Sequence, residues 1–410
     1  MVKPSSQPLV LMLVDGLGYE FVTSEATPNL RKLADACPFY PMRPVLGYSD
    51  CQRAALFTGL PPDQMGYWML YRFARPSDSP WRQLGKLAML DSLPGELPRK
   101  VFKVALSSSL LKITARRGPY PDLNVHNMPF RALPWHAPTL QKSMYAPGAL
   151  GEVPTIFDRL REARQSFGII RSDTVGKLAL LGSVTSQMRR LLGEIDALDG
   201  SVRFMYIYLH SPDMFAHRRG IRDPRFWEEL KKTDSAIIEI IDAAKRKMGA
   251  DTQVILTSDH GMNHTERFVS FQHLVNHSGF GRDFVVGLDS TMVRLWYLSD
   301  DGRKIARPLV ESSEVGRFLT REERIELGVD FPGDHYGDDV YLLEPGVSIY
   351  PNFHSLLKPL GMHAYHPQEP DQRAIALLIG DAISARAPDK PELHMTDISP
   401  LMCATLGLDG

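Results

Sequence analysis

The stretch LVLMLVDG, Leu9–Gly16, decides the fold class, because six consecutive apolar residues end abruptly at a carboxylate. An uninterrupted apolar run of this length is typical of a strand that is buried on both faces, as in a parallel sheet. Further short runs of the same character occur along the chain: Phe167–Ile170, Phe204–Leu209, Val254–Leu256 and Ile375–Ile379. The sequence therefore predicts several buried strands.

Helical patterns lie between these runs, with apolar residues at three- and four-residue spacing over Thr155–Phe167 and Phe226–Met248. Alternating strands and helices predict an α/β fold, a doubly wound, mostly parallel central sheet flanked by helices. Sites in such folds form at the carboxyl ends of the strands. The polar residues that follow the strands are therefore the candidates for chemistry.

Two segments interrupt the alternation of strand and helix. Residues 67–148 are rich in proline and hold three of the five tryptophans, and residues 271–337 mix short strands, turns and charges. We expect both to be inserted cap regions. The catalytic core is then made of residues 1–66, 149–270 and 338–410.

Composition excludes several classes of protein. The 410 residues carry 47 Lys and Arg against 48 Asp and Glu, so the whole chain has no electrostatic attraction for nucleic acid. Three scattered cysteines cannot form a disulfide framework or a four-thiolate zinc site. No apolar stretch approaches the roughly 18 residues that span a bilayer, and no signal-peptide pattern is present. We expect a cytoplasmic protein; its oligomeric state stays open.

Residues 99–117 hold six lysines and arginines and no acidic residue. A solvated basic face is one interpretation of this segment. Binding of an anionic substrate, or peripheral contact with an anionic lipid surface, are the others. The sequence leaves these alternatives open.

Three strand ends offer carboxylate and imidazole groups. Asp15 follows the first run, and Asp213 and His217 are four residues apart, so they can share one face of a helical turn. Asp259 and His260 are adjacent after another run. Each pair alone could be structural, but together they predict a metal site, and this donor mixture suits zinc, manganese or iron better than calcium.

Ser49 is the candidate nucleophile. It lies where a loop runs into a helical pattern, and a hydroxyl there is close to a positive helix N-terminus, which suits phosphate or sulfate. Alone it would be an ordinary N-cap. His363, near the C-terminus, could complete a metal set, although its spacing alone does not prove this.

As an ordered set, these motifs resemble the alkaline phosphatase superfamily, and within it the type I phosphodiesterase/nucleotide pyrophosphatase branch. Each motif is short, but together they extend over nearly the whole chain. In order they are Val14-Asp15-Gly16, Thr27-Pro28-Asn29-Leu30, Ser49 before Thr58-Gly59, Pro212-Asp213 with His217, Ser258-Asp259-His260-Gly261-Met262, Gly361-Met362-His363 with Tyr365, and Asp397-Ile398-Ser399-Pro400.

The resemblance implies a hydrolase that cleaves a phosphodiester or pyrophosphate bond in a small-molecule phosphate ester. It further implies a seryl-phosphoryl intermediate on Ser49 and two divalent metal ions, zinc or manganese. The implied ligands form two sets: Asp15, Ser49, Asp259 and His260 for the ion that activates the nucleophile, and Asp213, His217 and His363 for the other.

The chain departs from the family pattern in two places. The family usually has an asparagine after its nucleophile, which helps to hold a phosphoryl oxygen; here the nearest candidate for that catalytic role is Gln52. The usual His-Gly-Tyr has alanine at its centre. Candidate substrate-binding residues are Arg53, Trp68 and Tyr365, with buried core as the alternative for the tryptophan.

Two alternative activities remain open. A phosphotransferase would use the same seryl intermediate and pass the group to an alcohol. The spacing of Ser49 and Arg53 also resembles a sulfatase motif, so a sulfatase or phosphonate hydrolase of the same superfamily is the second alternative.

Overall fold

The structure, a computed structural model, describes residues 6–92, 127–174 and 183–408. The basic segment 99–117 lies outside the described residues, so its expected membrane contact stays a prediction. Within the described parts of the chain, no helix combines the length and apolar character needed to cross a bilayer.

Strands and helices alternate along much of the chain. The strands are β1 (Leu9–Val14), β2 (Phe39–Arg43), β3 (Tyr71–Phe73), β4 (His136–Pro138), β5 (Phe167–Arg171), β6 (Phe204–Leu209), β7 (Gln253–Thr257), β8 (Asn263–His264), β9 (Arg267–Val269), β10 (Phe284–Leu288), β11 (Met292–Tyr297), β12 (Gly316–Phe318), β13 (Asp339–Leu343), β14 (Val347–Ile349), β15 (Gly361–Met362), β16 (Ala374–Ile379) and β17 (Leu393–His394). The α-helices are α1 (Pro28–Ala36), α2 (Ser49–Thr58), α3 (Pro62–Met65), α4 (Ile156–Glu162), α5 (Val184–Ala197), α6 (Ser211–Arg219), α7 (Pro224–Met248), α8 (Gln272–Asn276), α9 (Gly302–Glu311), α10 (Arg321–Glu326), α11 (Asp381–Ser384) and α12 (Ile398–Leu406).

The chain divides into two compact units. The first contains residues 1–61, 151–264 and 366–410, and the second contains residues 62–150 and 265–365. These bounds differ from the predicted segments mainly at 338–365, which pack within the second unit. The reason is strand pairing, since β13 pairs with β11 and β12, and β14 pairs with β9. A capping role for the inserted regions stays a prediction.

The first unit is built on a seven-stranded sheet in the order β17-β2-β16-β7-β1-β6-β5. β1 is an interior strand of this sheet, parallel to both β6 and β7, and all six of its residues are buried. Helices α5 and α7 contribute Leu191, Ile237 and Ile240 to the same apolar core. The predicted α/β class with a mainly parallel sheet is confirmed.

Two local expectations for the first unit need correction. β16 was expected among parallel strands, but it runs antiparallel to both β7 and β2. The helix expected over Thr155–Phe167 ends at Glu162, because Arg164 adopts a left-handed φ of 54° and Phe167 already begins β5. Thr155 caps this helix by accepting a hydrogen bond from the backbone of Asp158.

The second unit has its own core. An antiparallel sheet in the order β10-β11-β13-β12 packs aliphatic and aromatic side chains against residues from the 62–150 segment. Trp81 and Phe130 from that segment share the cluster with Phe284 and Tyr341 from the sheet. The two chain segments of this unit therefore fold together around one apolar centre.

Gly16, which follows β1, packs closely against the start of α6. Its φ of 71° is left-handed, and a Cβ at this position would lie 2.9 Å from Cα of Asp213. Only glycine allows this turn and this close approach of two backbones. The short distance between the backbones at Asp15 and Asp213 therefore depends on Gly16.

We predict that Gly16→Ala lowers the free energy of unfolding by about 2 kcal/mol or more, from left-handed strain plus the clash. Gly193→Ala is the matched control, because it lies within α5 and a Cβ there meets no described atom within 4 Å. The control should raise stability by about 0.5–1 kcal/mol. Urea denaturation measures both, and equal effects would contradict the argument.

Candidate active site

The carboxyl ends of β1 and β7 and the start of α6 are joined by two hydrogen bonds. The amide of Gly16 donates to Oδ1 of Asp259 at 3.1 Å, and the amide of Asp213 donates to the carbonyl oxygen of Asp15 at 3.2 Å. These strands are parallel, so their carboxyl ends lie at one edge of the sheet. The three aspartates predicted as ligands are thereby brought together.

His260 lies at the centre of this group. Its Nε2 is 3.0 Å from Oγ of Ser49, 3.3 Å from Oδ1 of Asp15 and 3.5 Å from Oδ2 of Asp259. Its Nδ1 is 2.8 Å from the carbonyl oxygen of Gly261, and a neutral ring donates its proton there. The unprotonated Nε2 then faces the oxygens, which is the orientation of a metal-ligating histidine.

The charges of the cluster are strongly coupled. Burial and the charge of Asp15 raise the pKa of Asp259 well above its usual range. Burial by itself lowers the pKa of His260, but the neighbouring carboxylates outweigh burial and raise that pKa to about 10. Burial likewise opposes ionisation of Asp15, yet His260 holds the pKa of that carboxyl below its usual value. The cluster therefore needs positive charge at Nε2.

The side chains fit a divalent cation. Oδ1 of Asp15 and Oδ2 of Asp259 are buried and accept no hydrogen bond from the described residues. Donor atoms of Asp15, Asp213 and His260 all lie within 4.8 Å of one another. A cation would supply the charge that His260 otherwise needs a proton to provide.

Asp213 and His217 share one face of α6, as their spacing predicts. Oδ1 of the aspartate lies 3.1 Å from Nε2 of the histidine, and both side chains are partly buried. His363 belongs to the second unit, where it is buried directly after β15. Its grouping with the other two ligands stays a prediction. Ala364 beside it has a left-handed φ of 67°, a conformation that glycine adopts without the strain that alanine incurs.

Ser49 is the first residue of α2, with Tyr48 as the N-cap. The predicted helix start is therefore present, and the hydroxyl lies at the positive end of a ten-residue helix. Its partner is His260 rather than a backbone amide. Ser49 thus faces the carboxylate cluster.

Gln52 is placed differently from its predicted catalytic role. Its Nε2 donates to the carbonyl oxygens of Val45 at 2.6 Å and Gly47 at 3.0 Å, and its Oε1 accepts from the amide of Val45 at 2.9 Å. Both ends of the side-chain amide therefore hold the loop that leads to Ser49. The geometry favours a structural role for this residue over contact with a phosphoryl oxygen.

The three candidate substrate-binding residues are engaged within their own units. Arg53 pairs with Asp50 on α2. Trp68 is 1% exposed and stacks against Phe331 with ring centroids 5.9 Å apart. Tyr365 is also 1% exposed, and its hydroxyl donates to a backbone carbonyl at 2.9 Å. The structure favours the buried-core interpretation for Trp68, and substrate binding by Tyr365 stays a prediction.

Sequence reasoning missed Tyr208, the fifth residue of β6. Its hydroxyl donates to Oδ2 of Asp15, and the guanidinium of Arg53 lies 4.9 Å from its ring centroid. Burial, with the charge of Asp15, raises the pKa of Tyr208 far above its ordinary value, so the phenol remains a donor. The run Phe204–Leu209 predicted a strand but carried no signal for this contact.

Comparisons with known proteins identify the family and the fold of the chain. A family model described as type I phosphodiesterase / nucleotide pyrophosphatase matches residues 9–326. Murine ectonucleotide pyrophosphatase / phosphodiesterase 5, in an inactive form in complex with AMP, has a similar fold, with TM-score 0.66 and 15% identity over 98% of this chain and 96% of that chain. The human protein of the same name gives TM-score 0.67 and 14% identity over the same shares. A comparison with curated protein sequences gave no match.

We predict that Asp259→Asn raises or preserves the stability of the metal-free protein, because it removes a carboxyl group whose ionised form is disfavoured by burial and by the charge of Asp15. Zinc should stabilise the wild type by about 2.7 kcal/mol at 100 times Kd. We expect less than half of that gain in the variant, measured by thermal unfolding with chelator and with zinc.

Asp35→Asn is the control, since that carboxylate is exposed in a surface pair with Arg31 and should affect neither quantity. A metal-free Asp259→Asn protein far less stable than the wild type would contradict the proposed repulsion.

Proposed function

Because the chain belongs to the type I phosphodiesterase / nucleotide pyrophosphatase family, we propose that it hydrolyses a phosphodiester or pyrophosphate bond through Ser49, with two divalent metal ions. The observation that carries the proposal is the 3.0 Å contact between Oγ of Ser49 and Nε2 of His260, the nitrogen that also faces two carboxylates. A nucleophile hydroxyl is thus placed against a cation-binding cluster.

Two residue sets would hold the cations, and the pattern of carboxylate and imidazole favours zinc or manganese. The sets are Asp15, Ser49, Asp259 and His260, and Asp213, His217 and His363. When bound, the ions would lower the pKa of the hydroxyl and neutralise charge on the phosphoryl oxygens. A cytoplasmic location of the protein stays a prediction from the sequence.

Ser49 performs the covalent step. Its hydroxyl releases a proton to solvent and Oγ attacks phosphorus while the bond from phosphorus to the leaving oxygen breaks, which gives a seryl-phosphoryl intermediate and the departing oxygen group. Water then attacks the same phosphorus, the bond to Oγ breaks, and a proton from that water restores the serine hydroxyl. Gln52 keeps the loop before Ser49 in place by its three backbone hydrogen bonds.

A nucleotide-type phosphate ester is the substrate class that we propose. The murine relative was solved in complex with AMP, which supports a phosphate ester of this kind. Hydrolysis of a sulfate ester and transfer of the phosphoryl group to an alcohol would use the same nucleophile. A comparison of several substrates therefore distinguishes these activities.

We predict that Ser49→Ala keeps its metal ions but loses turnover by a factor of about 10³ or more, because the attacking oxygen is gone. Ser49→Thr is the matched control, since it retains a hydroxyl at the start of α2. Steady-state hydrolysis of a nitrophenyl phosphodiester, with metal content per chain, measures both. Unchanged turnover in the alanine variant would remove Ser49 from the mechanism.

We further predict that one preparation hydrolyses a nitrophenyl phosphodiester faster than the matching monoester or sulfate ester, and that a chelator abolishes this activity. Elemental analysis should find about two zinc or manganese ions per chain. Calcium with sulfate turnover would instead identify a sulfatase. Product transfer to an added alcohol in place of hydrolysis would identify a phosphotransferase.

A further inference from the structure

Tyr208 is joined to the candidate metal site but lies outside both predicted ligand sets. Its phenol donates to Oδ2 of Asp15. We propose that Tyr208 is a positioning residue, whose hydroxyl orients the Asp15 carboxylate so that Oδ1 is presented to the ion beside Ser49. This inference rests on the proposed function, because it assigns a role toward that ion.

The two oxygens of Asp15 have different surroundings. Oδ2 accepts the Tyr208 hydrogen bond, whereas Oδ1 lies 3.3 Å from Nε2 of His260 and accepts no hydrogen bond from the described residues. A carboxylate can rotate about its bond to Cβ, and a buried donor to one oxygen removes that freedom. The phenol therefore selects which oxygen faces the cation and His260.

Tyr208 is itself held on several sides. The residue is 4% exposed, the Arg53 guanidinium lies 4.9 Å from the ring centroid, and the His210 ring is stacked against it at 6.3 Å. Arg53 pairs with Asp50, and Nδ1 of His210 lies 2.6 Å from the hydroxyl of Ser172. These contacts limit the motion of the phenol, so its hydrogen bond to Oδ2 fixes the orientation of the Asp15 carboxylate.

The same contacts connect the nucleophile helix to the metal ligand. Arg53 lies on α2, four residues after Ser49, and its guanidinium rests on the ring that holds Asp15. Hydrogen-bonded partners of metal ligands change metal affinity by about 10–100-fold when they are lost. We therefore expect the main effect of losing the phenol on metal binding rather than on folding.

Tyr208→Phe tests the proposal, because it removes the hydroxyl but keeps the ring under Arg53. Tyr206→Phe is the matched control: it deletes a buried phenol hydroxyl from the same strand, at a ring that packs against Phe57 and Phe157. Zinc affinity is measured by competition with a chromophoric chelator, without substrate. The absorption spectrum of the cobalt-substituted protein and thermal unfolding of the metal-free protein complete the set.

The expected result is a zinc affinity about tenfold lower in Tyr208→Phe for one of the two ions, with an altered cobalt spectrum. Metal-free unfolding temperatures of Tyr208→Phe and Tyr206→Phe should be similar, and Tyr206→Phe should keep wild-type affinity. Wild-type affinity and spectrum in Tyr208→Phe would overturn the positioning role alone. A wild-type protein that binds no divalent metal would overturn the proposed function and this inference with it.

Discussion

The constraint on which the site depends is the confinement of like charges. Asp15 and Asp259 are buried beside His260, and the partly buried Asp213 lies close to them, so water screens their charges only weakly. A proton or a cation at Nε2 of the histidine compensates part of their repulsion, and the Tyr208 hydroxyl and the Gly16 amide donate hydrogen bonds to Asp15 and Asp259. Strongly shifted pKa values in neighbouring buried groups are typical of functional sites.

The sheet makes that confinement possible. β1 pairs with β6 and β7 in parallel, and the backbone after β1 passes close to Asp213 because Gly16 has no side chain. The apolar core behind the strands resists their separation. Burial of aliphatic residues thus supplies the stability that holds the repelling carboxylates in place.

The nucleophile Ser49 is held by contacts of its own helix, α2, and of the loop before it. Gln52 binds the loop before Ser49, and Arg53 reaches from the same helix to the ring of Tyr208. One helix therefore holds the attacking oxygen and also contacts the residue that binds Asp15. Because these links are short and buried, a small displacement of the helix would move the hydroxyl and the carboxylate together.

The sequence by itself determined the strands, the α/β class and the candidate ligands, because continuous apolar runs and short polar motifs are local patterns. Only the tertiary structure decided what each polar side chain contacts. The side chain of Gln52 binds its own loop, and Trp68 and Tyr365 are buried. Tyr208 contacts Asp15, which is 193 residues away in the sequence. Such contacts depend on strand order and packing, which no local pattern specifies.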